Sequence, residues 1–382
     1  MEYRHGQSLL GFGCMRFPRS GNGFDMDEIR RELKYAIENG INYFDTAYIY
    51  PGSEEVLGTV VNELGCRSDI IIATKLPHYM MKSEDDMEKH FSEQLKRLKT
   101  DYVDNFLMHM LPDIETWKLL IDRGVLEWIK AKKEAGQIKR VGFSYHGSTS
   151  RFIEILDAYE WDFCQIQYNY MDENSQAGRA GLLAAEEKNI PVVIMEPLRG
   201  GKLAGKMPEA AVKILKEDHP DWSCAEWSFR WLFNQSGVTT VLSGMNSMDM
   251  IKENIKTANE CQVGSLTDND LDTLNRAKEL IGAKTIVPCT GCGYCMPCPA
   301  GVDIPGCFKS LNDTKIDGYF EGFKEYFMCT ALKKKPANAS VCKQCGLCET
   351  KCPQHIAIKS ELKKVKKSFD NPIFYIGKFF IK

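Results

Sequence analysis

Short apolar runs rich in β-branched residues alternate along this chain with longer segments of helical periodicity. The runs predict strands at Leu9–Gly13, Tyr43–Thr46, Ile70–Lys75, Val103–His109, Arg140–Ser144, Phe163–Tyr168, Val192–Glu196 and Thr239–Ser243. The segments between them predict helices at Met26–Asn39, Ser53–Leu64, Ser83–Leu98, Leu120–Ala135, Thr149–Ala158, Ala177–Lys188 and Cys224–Asn234. Strand followed by helix, repeated over roughly 250 residues, predicts the α/β architecture of a (β/α)8 TIM barrel.

A doubly wound parallel sheet is the alternative for such a pattern. It requires a glycine-rich turn that leads from the first strand directly into a helix. Here the segment Gly11–Arg16 is not followed by a helical pattern, which favours the barrel. Two further helices, Met248–Ala258 and Asp268–Ile281, are predicted after the last strand. We place the barrel domain at residues 1–282 and a second domain at residues 283–382.

Titratable side chains stand near the C-terminal ends of three successive predicted strands. Asp45 ends the second strand, and Tyr50 lies on the loop after it. Lys75 ends the third strand, and His109 ends the fourth. Catalytic side chains of such a barrel sit at this rim, although a single lysine or histidine there is more often structural. The four together predict an active site.

Carbonyl reduction suits these side chains. Addition of a hydride to a carbonyl builds negative charge on its oxygen, and a nearby acid must supply a proton. A tyrosine is a weak acid at neutral pH. A lysine cation beside it, itself paired with an aspartate, favours the phenolate and is expected to lower the tyrosine pKa. A histidine can hydrogen-bond the carbonyl oxygen and orient it.

More than half of the fifteen cysteines lie in the last quarter of the chain, and eight of them form two closely spaced runs. The members of the two runs are Cys289, Cys292, Cys295 and Cys298, then Cys342, Cys345, Cys348 and Cys352. A proline follows the fourth cysteine of each run, as in ferredoxins that hold two [4Fe–4S] clusters. Structural zinc is the alternative, but a zinc site needs only four thiolates and no trailing proline.

In two-cluster ferredoxins the fourth cysteine of each run binds the other cluster. Carried over to this chain, that rule gives one cluster bound by Cys289, Cys292, Cys295 and Cys352, and a second bound by Cys342, Cys345, Cys348 and Cys298. The second domain is therefore predicted to be small, ferredoxin-like, α-helical and cysteine-rich, with Ile304–Met328 as a mostly helical insert. Its tail from Lys363 is basic and then aromatic. Such a tail usually packs back on its own domain, and the alternative is contact with a membrane surface or a partner.

Composition and charge narrow the possible classes of protein. The formal net charge of −3 argues against bulk nucleic-acid binding. No apolar run is long enough to form a transmembrane segment. The first residues show no apolar signal segment, so we expect the protein in a reducing cytoplasm, where clustered cysteines bind metal rather than form disulfides.

From Ser8 to Ala258 the chain resembles the aldo/keto reductase family, most specifically in the four rim residues. The resemblance implies that Tyr50 is the general acid/base, that Lys75 and Asp45 tune it, and that His109 helps to bind substrate. It also implies a nicotinamide nucleotide, NAD(P)H, on the same rim, with a flavin as the alternative. The residues that would contact the nucleotide are Ser144, Gln165, Met195, Pro197, Leu198, Gly200, Gly201, Ser243, Gly244, Met245, Glu253 and Asn254.

Two departures from the family pattern bear on the cofactor. Met195 stands where an aromatic ring usually covers the nicotinamide, although a thioether can also cover it. Gly244 and Met250 replace the lysine and arginine that usually hold a 2′-phosphate. Because a phosphate needs cationic partners, this replacement favours NADH over NADPH.

The whole chain resembles the ferredoxin-containing aldo/keto reductases of bacteria and archaea. It is predicted to be an oxidoreductase that interconverts a small carbonyl compound and an alcohol, coupled to one-electron transfer through two [4Fe–4S] clusters. A ferredoxin or a flavodoxin-type protein is the expected redox partner. The alternative is a redox-interaction module, in which the clusters dock an electron-transfer partner and the barrel serves mainly as a scaffold.

Overall fold

A closed barrel of parallel strands forms the centre of the computed structural model, which describes residues 1–283, 285–291, 293–352 and 354–381. Its strands are β1 (Leu10–Gly13), β2 (Tyr43–Asp45), β3 (Ile71–Leu76), β4 (Val103–Met108), β5 (Ile138–Tyr145), β6 (Phe163–Gln167), β7 (Val192–Met195) and β8 (Val238–Ser243). Strands adjacent in sequence pair with each other, and β8 pairs with β1, with Val241 opposite Leu10. The prediction of a (β/α)8 barrel is confirmed.

Helices surround the barrel and build the region that follows it. Those of the barrel region are α1 (Met26–Glu38), α2 (Ser53–Leu64), α3 (Glu84–Leu98), α4 (Ile114–Asp122), α5 (Val125–Glu134), α6 (Thr149–Leu156), α7 (Gly178–Glu187), α8 (Lys202–Gly205), α9 (Glu209–Asp218), α10 (Cys224–Phe233), α11 (Met248–Glu260) and α12 (Asp268–Gly282). The following region contains α13 (Ile304–Ile316), α14 (Tyr319–Thr330), α15 (Leu347–Thr350), α16 (Ile358–Phe369) and α17 (Pro372–Ile381).

Large side chains fill the inside of the barrel. Tyr43, Leu107 and Phe163 point into one buried cluster there, separate from the larger core between strands and helices. Gly11 lies against the same interior, where a Cβ atom would come within 2.8 Å of the Thr240 methyl carbon. The interior is therefore a packed core, and ligands must bind at its rim.

One predicted helix is wrong in its extent. The segment Leu120–Ala135 was expected to be continuous, but α4 ends at Asp122 and α5 begins at Val125. Gly124 between them has a φ of +88°, a left-handed conformation that glycine adopts at little cost and that ends the helix. The apolar periodicity continues across this break, although the helical conformation of the backbone does not. Helix α9 was not predicted.

The cysteine-rich region has its own buried core. Phe308 of α13, Tyr326 of α14, Phe369 of α16 and Phe374 of α17 meet in it, so the predicted helical insert and the tail both pack on this region. Phe379, also in α17, is instead exposed. Within the described ranges, the helices are too short or too polar to cross a membrane.

The cysteine-rich region packs on the C-terminal rim of the barrel. Lys335 pairs with Glu115 after β4 at 2.8 Å, and Lys309 of α13 lies 3.7 Å from Asp172 after β6. Near β6, Gly291 lies directly against the backbone carbonyl of Asn174. The two parts therefore meet at the rim where the predicted active site lies.

Candidate active site

A buried ion pair forms the centre of the rim. Asp45 ends β2 and Lys75 lies near the end of β3, and parallel pairing of these strands brings the two side chains together. Lys75 Nζ donates hydrogen bonds to Asp45 Oδ2 at 2.6 Å and to the Thr46 carbonyl at 2.7 Å. Both members of the pair are buried, so water screens their attraction little.

Tyr50 and His109 lie beside this pair. The Tyr50 ring is 6.1 Å from the His109 ring, centroid to centroid, and the two rings are nearly perpendicular. Lys75 Nζ lies 5.1 Å from the centroid of the Tyr50 ring. The structure thus brings together the four rim residues expected from the sequence.

The pKa of Tyr50 departs from the expected direction. Burial raises the pKa of the phenol, and the nearby Lys75 cation offsets only part of that rise. Burial also opposes the charge of Lys75, but Asp45 and Tyr50 outweigh it and raise the lysine pKa. Tyr50 therefore keeps its proton at neutral pH, which suits a proton donor.

His109 is held neutral. Burial, reinforced by the charge of Lys75, lowers its pKa well below the usual value. Its Nδ1 atom is buried and has no hydrogen-bond partner among the residues that the structure describes. A neutral imidazole can donate a hydrogen bond to a carbonyl oxygen without placing a second cation beside Lys75.

Gln165 offers a buried and unsatisfied acceptor beside the ion pair. Its Nε2 atom donates to Asp45 Oδ1 at 3.0 Å, and this contact fixes the amide orientation because a carboxylate can only accept. Gln165 Oε1 has no partner in the described part of the chain. Nearby, Ser144 Oγ accepts from the Met110 amide at 2.8 Å and keeps its own hydroxyl proton to donate. One free acceptor and one free donor complement a carboxamide such as that of nicotinamide.

The cysteines of the two runs are interleaved. Cys289 and Cys295 of the first run and Cys352 of the second line one cavity with apolar walls that include Phe308 and Ile358. Because the fourth cysteine of the second run faces the first run, the cavity fits the crossed ligand set expected for one [4Fe–4S] cluster.

Cys298 lies near the second run, as the complementary ligand set requires. Burial raises the pKa of Cys348, and Cys298 and Cys342 lie near enough to raise it further. Cys345 is exposed in the same segment. Cys292, the remaining predicted ligand, and Pro353, the proline after the second run, lie outside the described residues.

Comparison with known proteins agrees with this geometry. Residues 9–279 match the model of the aldo/keto reductase family. This chain belongs to the aldo/keto reductase family. Residues 288–358 match the model of a 4Fe-4S dicluster domain, so the chain joins that fold to an iron–sulfur region.

The similar proteins span the barrel. The uncharacterized oxidoreductase YqkF of Bacillus subtilis is 27% identical, with 70% of this chain and 91% of that protein covered. The aldo-keto reductase AKR11C1 from Bacillus halodurans, a holo form, is also 27% identical and has a TM-score of 0.58, with 70% of this chain and 91% of that chain covered. A Klebsiella pneumoniae aldo-keto reductase in complex with NADPH shares the fold at 21% identity and a TM-score of 0.58, with coverage of 71% and 90%.

The loop after β7 of this aldo/keto reductase has a contact that the sequence did not reveal. Gly200 and Gly201 have φ values of +72° and +94°, which turn the backbone sharply after Leu198. Arg16, from the loop after β1, donates from Nη1 to the Gly200 carbonyl at 3.1 Å, and its side chain also lies against Gly244. A cation therefore lies between two segments, at Gly200 and at Gly244, that are both expected to contact the nucleotide.

The predicted nucleotide contacts between Ser243 and Asn254 are mostly buried. Asn254 Nδ2 donates to Ser243 Oγ at 3.1 Å, and this bond ties α11 to the end of β8. Met245 packs its side chain into the hydrophobic core, so only its backbone is available to a nucleotide. Glu253 is half-buried. Two further predicted contacts lie at the end of β7, where Met195 is half-buried and Pro197 just beyond it is buried.

Glu196 is a rim residue that the sequence reasoning missed. It follows β7 directly and has a φ of +54°, which is uncommon for a residue other than glycine and marks local strain. Its carbonyl accepts from Asn169 Nδ2 at 3.2 Å. Its charge contributes to the raised pKa of Tyr50. Glu196 could have been identified by the signal that identified Asp45, which is an acidic residue at the end of a predicted strand.

A buried charge cluster joins the β7 loop to the cysteine-rich region. Arg199 Nη2 lies 2.5 Å from Asp313 and 2.9 Å from Asp317, at the C-terminal end of α13. Arg199 Nε lies 3.5 Å from Asp172, which follows β6. All four side chains are almost fully buried, so each charge depends on the others for compensation.

A series of polar side-chain contacts also leads from this interface toward the active site. Gln176 donates from Nε2 to Glu325 of α14 at 2.9 Å. Its Oε1 atom lies 3.1 Å from His146 Nδ1, and His146 is near enough to His109 to lower the pKa of that imidazole further. The cysteine-rich region thus contributes to the surroundings of His109.

Protonation of buried histidines should make folding pH-dependent. Burial lowers the pKa of His78 to about 4, while its Nε2 atom lies 3.2 Å from the Met110 carbonyl. The unfolded chain takes up a proton below pH ~6.5, so stability is lost as the pH falls from there toward 4. Between pH ~7 and ~5, wild-type protein should lose about 2 kcal/mol more unfolding free energy than His78→Gln.

Urea unfolding followed by tryptophan fluorescence at both pH values measures this difference. The exposed His5 provides the control, because His5→Asn should retain the wild-type pH dependence. Equal losses in wild type and His78→Gln would contradict a buried, neutral His78.

Proposed function

We propose that this aldo/keto reductase interconverts a small carbonyl compound and the corresponding alcohol with a nicotinamide dinucleotide, and that two [4Fe–4S] clusters connect this reaction to one-electron transfer. The observation that carries the proposal is the buried Lys75–Asp45 pair, 2.6 Å between Nζ and Oδ2, placed beside Tyr50 and His109. A proton donor, a cation and a neutral hydrogen-bond donor then converge where a carbonyl oxygen would gain negative charge.

Each side chain has a distinct part in the reduction. His109 donates a hydrogen bond that orients the substrate oxygen, and Tyr50 donates the proton that this oxygen takes up. Lys75 stabilises the phenolate left behind, and Asp45 holds Lys75 in place through the 2.6 Å contact. In the opposite direction the phenolate would accept the proton of the alcohol. When bound, the nicotinamide supplies or accepts the hydride.

The nicotinamide is assigned to the rim because the residues there fit its carboxamide. Gln165 Oε1 is a buried acceptor without a partner among the described residues, and Ser144 retains a hydroxyl proton to donate. The preference for NADH stays a prediction. Arg16 argues against it, because its side chain brings a cation beside Gly244, one of the two positions where the usual lysine and arginine are replaced. A flavin in the same groove also stays a prediction, and flavin released on denaturation would reveal it.

The clusters are assigned to the interleaved cysteines. When bound, they would carry single electrons between the barrel rim and a partner, for which a ferredoxin or a flavodoxin-type protein is the proposed class. The apolar wall of the cavity beside Cys289, Cys295 and Cys352 would shield one cluster from water. A location in the reducing cytoplasm stays part of this proposal.

Paired substitutions test the crossed ligand sets. Cys289→Ser combined with Cys352→Ser should lose only one cluster, because both residues are assigned to the same one. Cys345→Ser combined with Cys352→Ser should lose both clusters. Iron content and electron paramagnetic resonance after dithionite reduction measure the outcome, with Cys224→Ser in α10 as a control that keeps both clusters. The reverse pattern would show that each run binds its own cluster.

One anaerobic experiment tests the whole function. Protein holding its clusters is mixed with NADH or NADPH and a panel of small aldehydes and ketones, while nicotinamide oxidation and the visible absorption of the clusters are recorded. Turnover together with bleaching of the clusters supports the proposal. Turnover without bleaching, with clusters still reducible by dithionite, would show that the reaction in the barrel and the clusters work separately. Clusters that exchange electrons with a partner in a protein without turnover would favour the redox-interaction module.

A further inference from the structure

Helix α17 is packed on its own domain along one side only. Phe374 is buried between Phe327 and Tyr326 of α14, with ring centroids 5.8 Å and 5.2 Å away. Gly377, one turn further on, lies so close to Phe327 that a Cβ atom would come within 2.9 Å of that ring. These contacts fix which side of α17 faces outward.

Among the residues that the structure describes, the outward side of α17 is apolar and carries no charge. Ile373, Ile376, Phe379 and Phe380 are 70%, 58%, 79% and 81% exposed, and helical spacing places them on one arc. Lys378, the charged residue within the helix, is instead turned toward the packed side, with Nζ 5.8 Å from the centroid of the Phe374 ring. A helix exposed to water normally shows the opposite arrangement.

Helix α16 supplies a basic surface immediately before this apolar one. Its apolar residues face inward, and the exposed residues between Leu362 and Phe369 are Lys363, Lys364, Lys366 and Lys367. Glu361, the acidic residue of the helix, pairs with Lys364 at 2.8 Å. The turn to α17 is held by Asp370, whose carboxylate accepts from the Tyr326 hydroxyl at 2.7 Å and from the Ser340 amide at 2.8 Å.

We propose that α16 and α17 form a docking surface for an anionic lipid bilayer. Large aromatic and aliphatic side chains on the outer side of a helix can enter the boundary between headgroups and acyl chains, and lysines nearby are attracted to anionic headgroups. The basic cluster is local, since the whole chain has a formal net charge of −3. This surface is independent of the proposed reaction.

Charge argues for a bilayer over a second copy of the chain. A symmetric dimer through the outward side of α17 would bring the α16 lysines of both copies near one another, where they repel. An anionic bilayer instead neutralises them while it covers the apolar side chains.

Another exposed aromatic side chain lies near the start of α17. It is Phe320 of α14, whose ring is 6.1 Å from that of Tyr319, and Tyr319 contacts Asn371.

Flotation with vesicles tests the proposal on the full chain with its clusters bound. Wild-type protein should float with vesicles of equal parts phosphatidylglycerol and phosphatidylcholine, and should not float with phosphatidylcholine alone. Phe379→Ser combined with Phe380→Ser should lower the partition coefficient at least about tenfold. Lys366→Glu combined with Lys367→Glu should lower it by a similar factor, and raised salt should weaken wild-type binding.

Matched substitutions on the barrel provide the controls. Val263→Ser removes an exposed apolar side chain from a loop, and Lys130→Glu reverses an exposed charge on α5; both should leave vesicle binding unchanged. Equal cluster absorption in all variants shows that the region remains folded. Absence of flotation would overturn the proposal, as would binding that the α16 and α17 variants leave intact. Self-association that Phe379→Ser and Phe380→Ser abolish, without vesicle binding, would instead assign the surface to a second copy.

Discussion

Tyr50→Phe should lower kcat/KM for carbonyl reduction by a factor of about 10²–10⁴ while both clusters remain bound. The phenylalanine keeps a ring at the position 6.1 Å from His109, so the local packing is retained. What is lost is the proton that the substrate oxygen must take up as negative charge develops on it. Steady-state oxidation of the nicotinamide under anaerobic conditions, with visible absorption to count clusters, measures both quantities.

Tyr48→Phe is the matched control for this substitution. Tyr48 lies on the same loop, but its ring is held 4.8 Å from His90 and 4.4 Å from the Arg97 guanidinium carbon, on the helix α3 side. Its turnover should stay within about twofold of wild type, since it removes a hydroxyl without removing the proton donor. Wild-type turnover by Tyr50→Phe would show that another group protonates the substrate and would overturn the role proposed for Tyr50.

Arg199→Ala should destabilise the protein by about 3–5 kcal/mol. The substitution leaves Asp172, Asp313 and Asp317 without their shared cation in a buried place, where uncompensated charge is costly. The effect should appear first as loosening of α13 from the barrel rim, because the cluster joins these two parts. Urea unfolding measures the free energy, and limited proteolysis between residues 283 and 304 measures the loosening.

Two comparisons keep this prediction specific to the buried cluster. Arg31→Ala removes an exposed arginine that pairs with Glu28, and should change stability by at most about 1 kcal/mol. Adding Asp313→Asn to Arg199→Ala should recover part of the loss, since one uncompensated carboxylate is removed. Lys309 also lies 2.8 Å from Asp313, and Lys202 lies 3.6 Å from Asp317. A loss of less than about 1 kcal/mol in Arg199→Ala would mean that these two lysines alone compensate the carboxylates.

The barrel and its four rim residues could be predicted because the relevant signals are local. Apolar runs separated by helical segments identify parallel strands, and the closure of the barrel then places every C-terminal strand end on one rim. Asp45, Lys75 and His109 are each at or next to such an end, so strand direction alone predicts that they lie on the same rim. The division of the chain after residue 282 stays a prediction of this kind.

The helix prediction for Leu120–Ala135 failed for a physical reason. Periodicity records which side chains face the core, and both α4 and α5 place apolar residues there. It does not record the backbone conformation of Gly124, which is left-handed and ends the first helix. A glycine within a helical pattern was the available signal, but it is also tolerated inside helices.

By itself, the sequence determined the barrel, the rim position of the Tyr50 site and the spacing of the two cysteine runs, since each depends on residues close together in the chain or on strand direction. Only the tertiary structure decided the raised pKa of Tyr50, because burial depends on everything packed around the phenol. It also decided that Arg16 reaches Gly200 and that Arg199 pairs with Asp313. Those partners are far apart along the chain, and no local pattern encodes a contact between them.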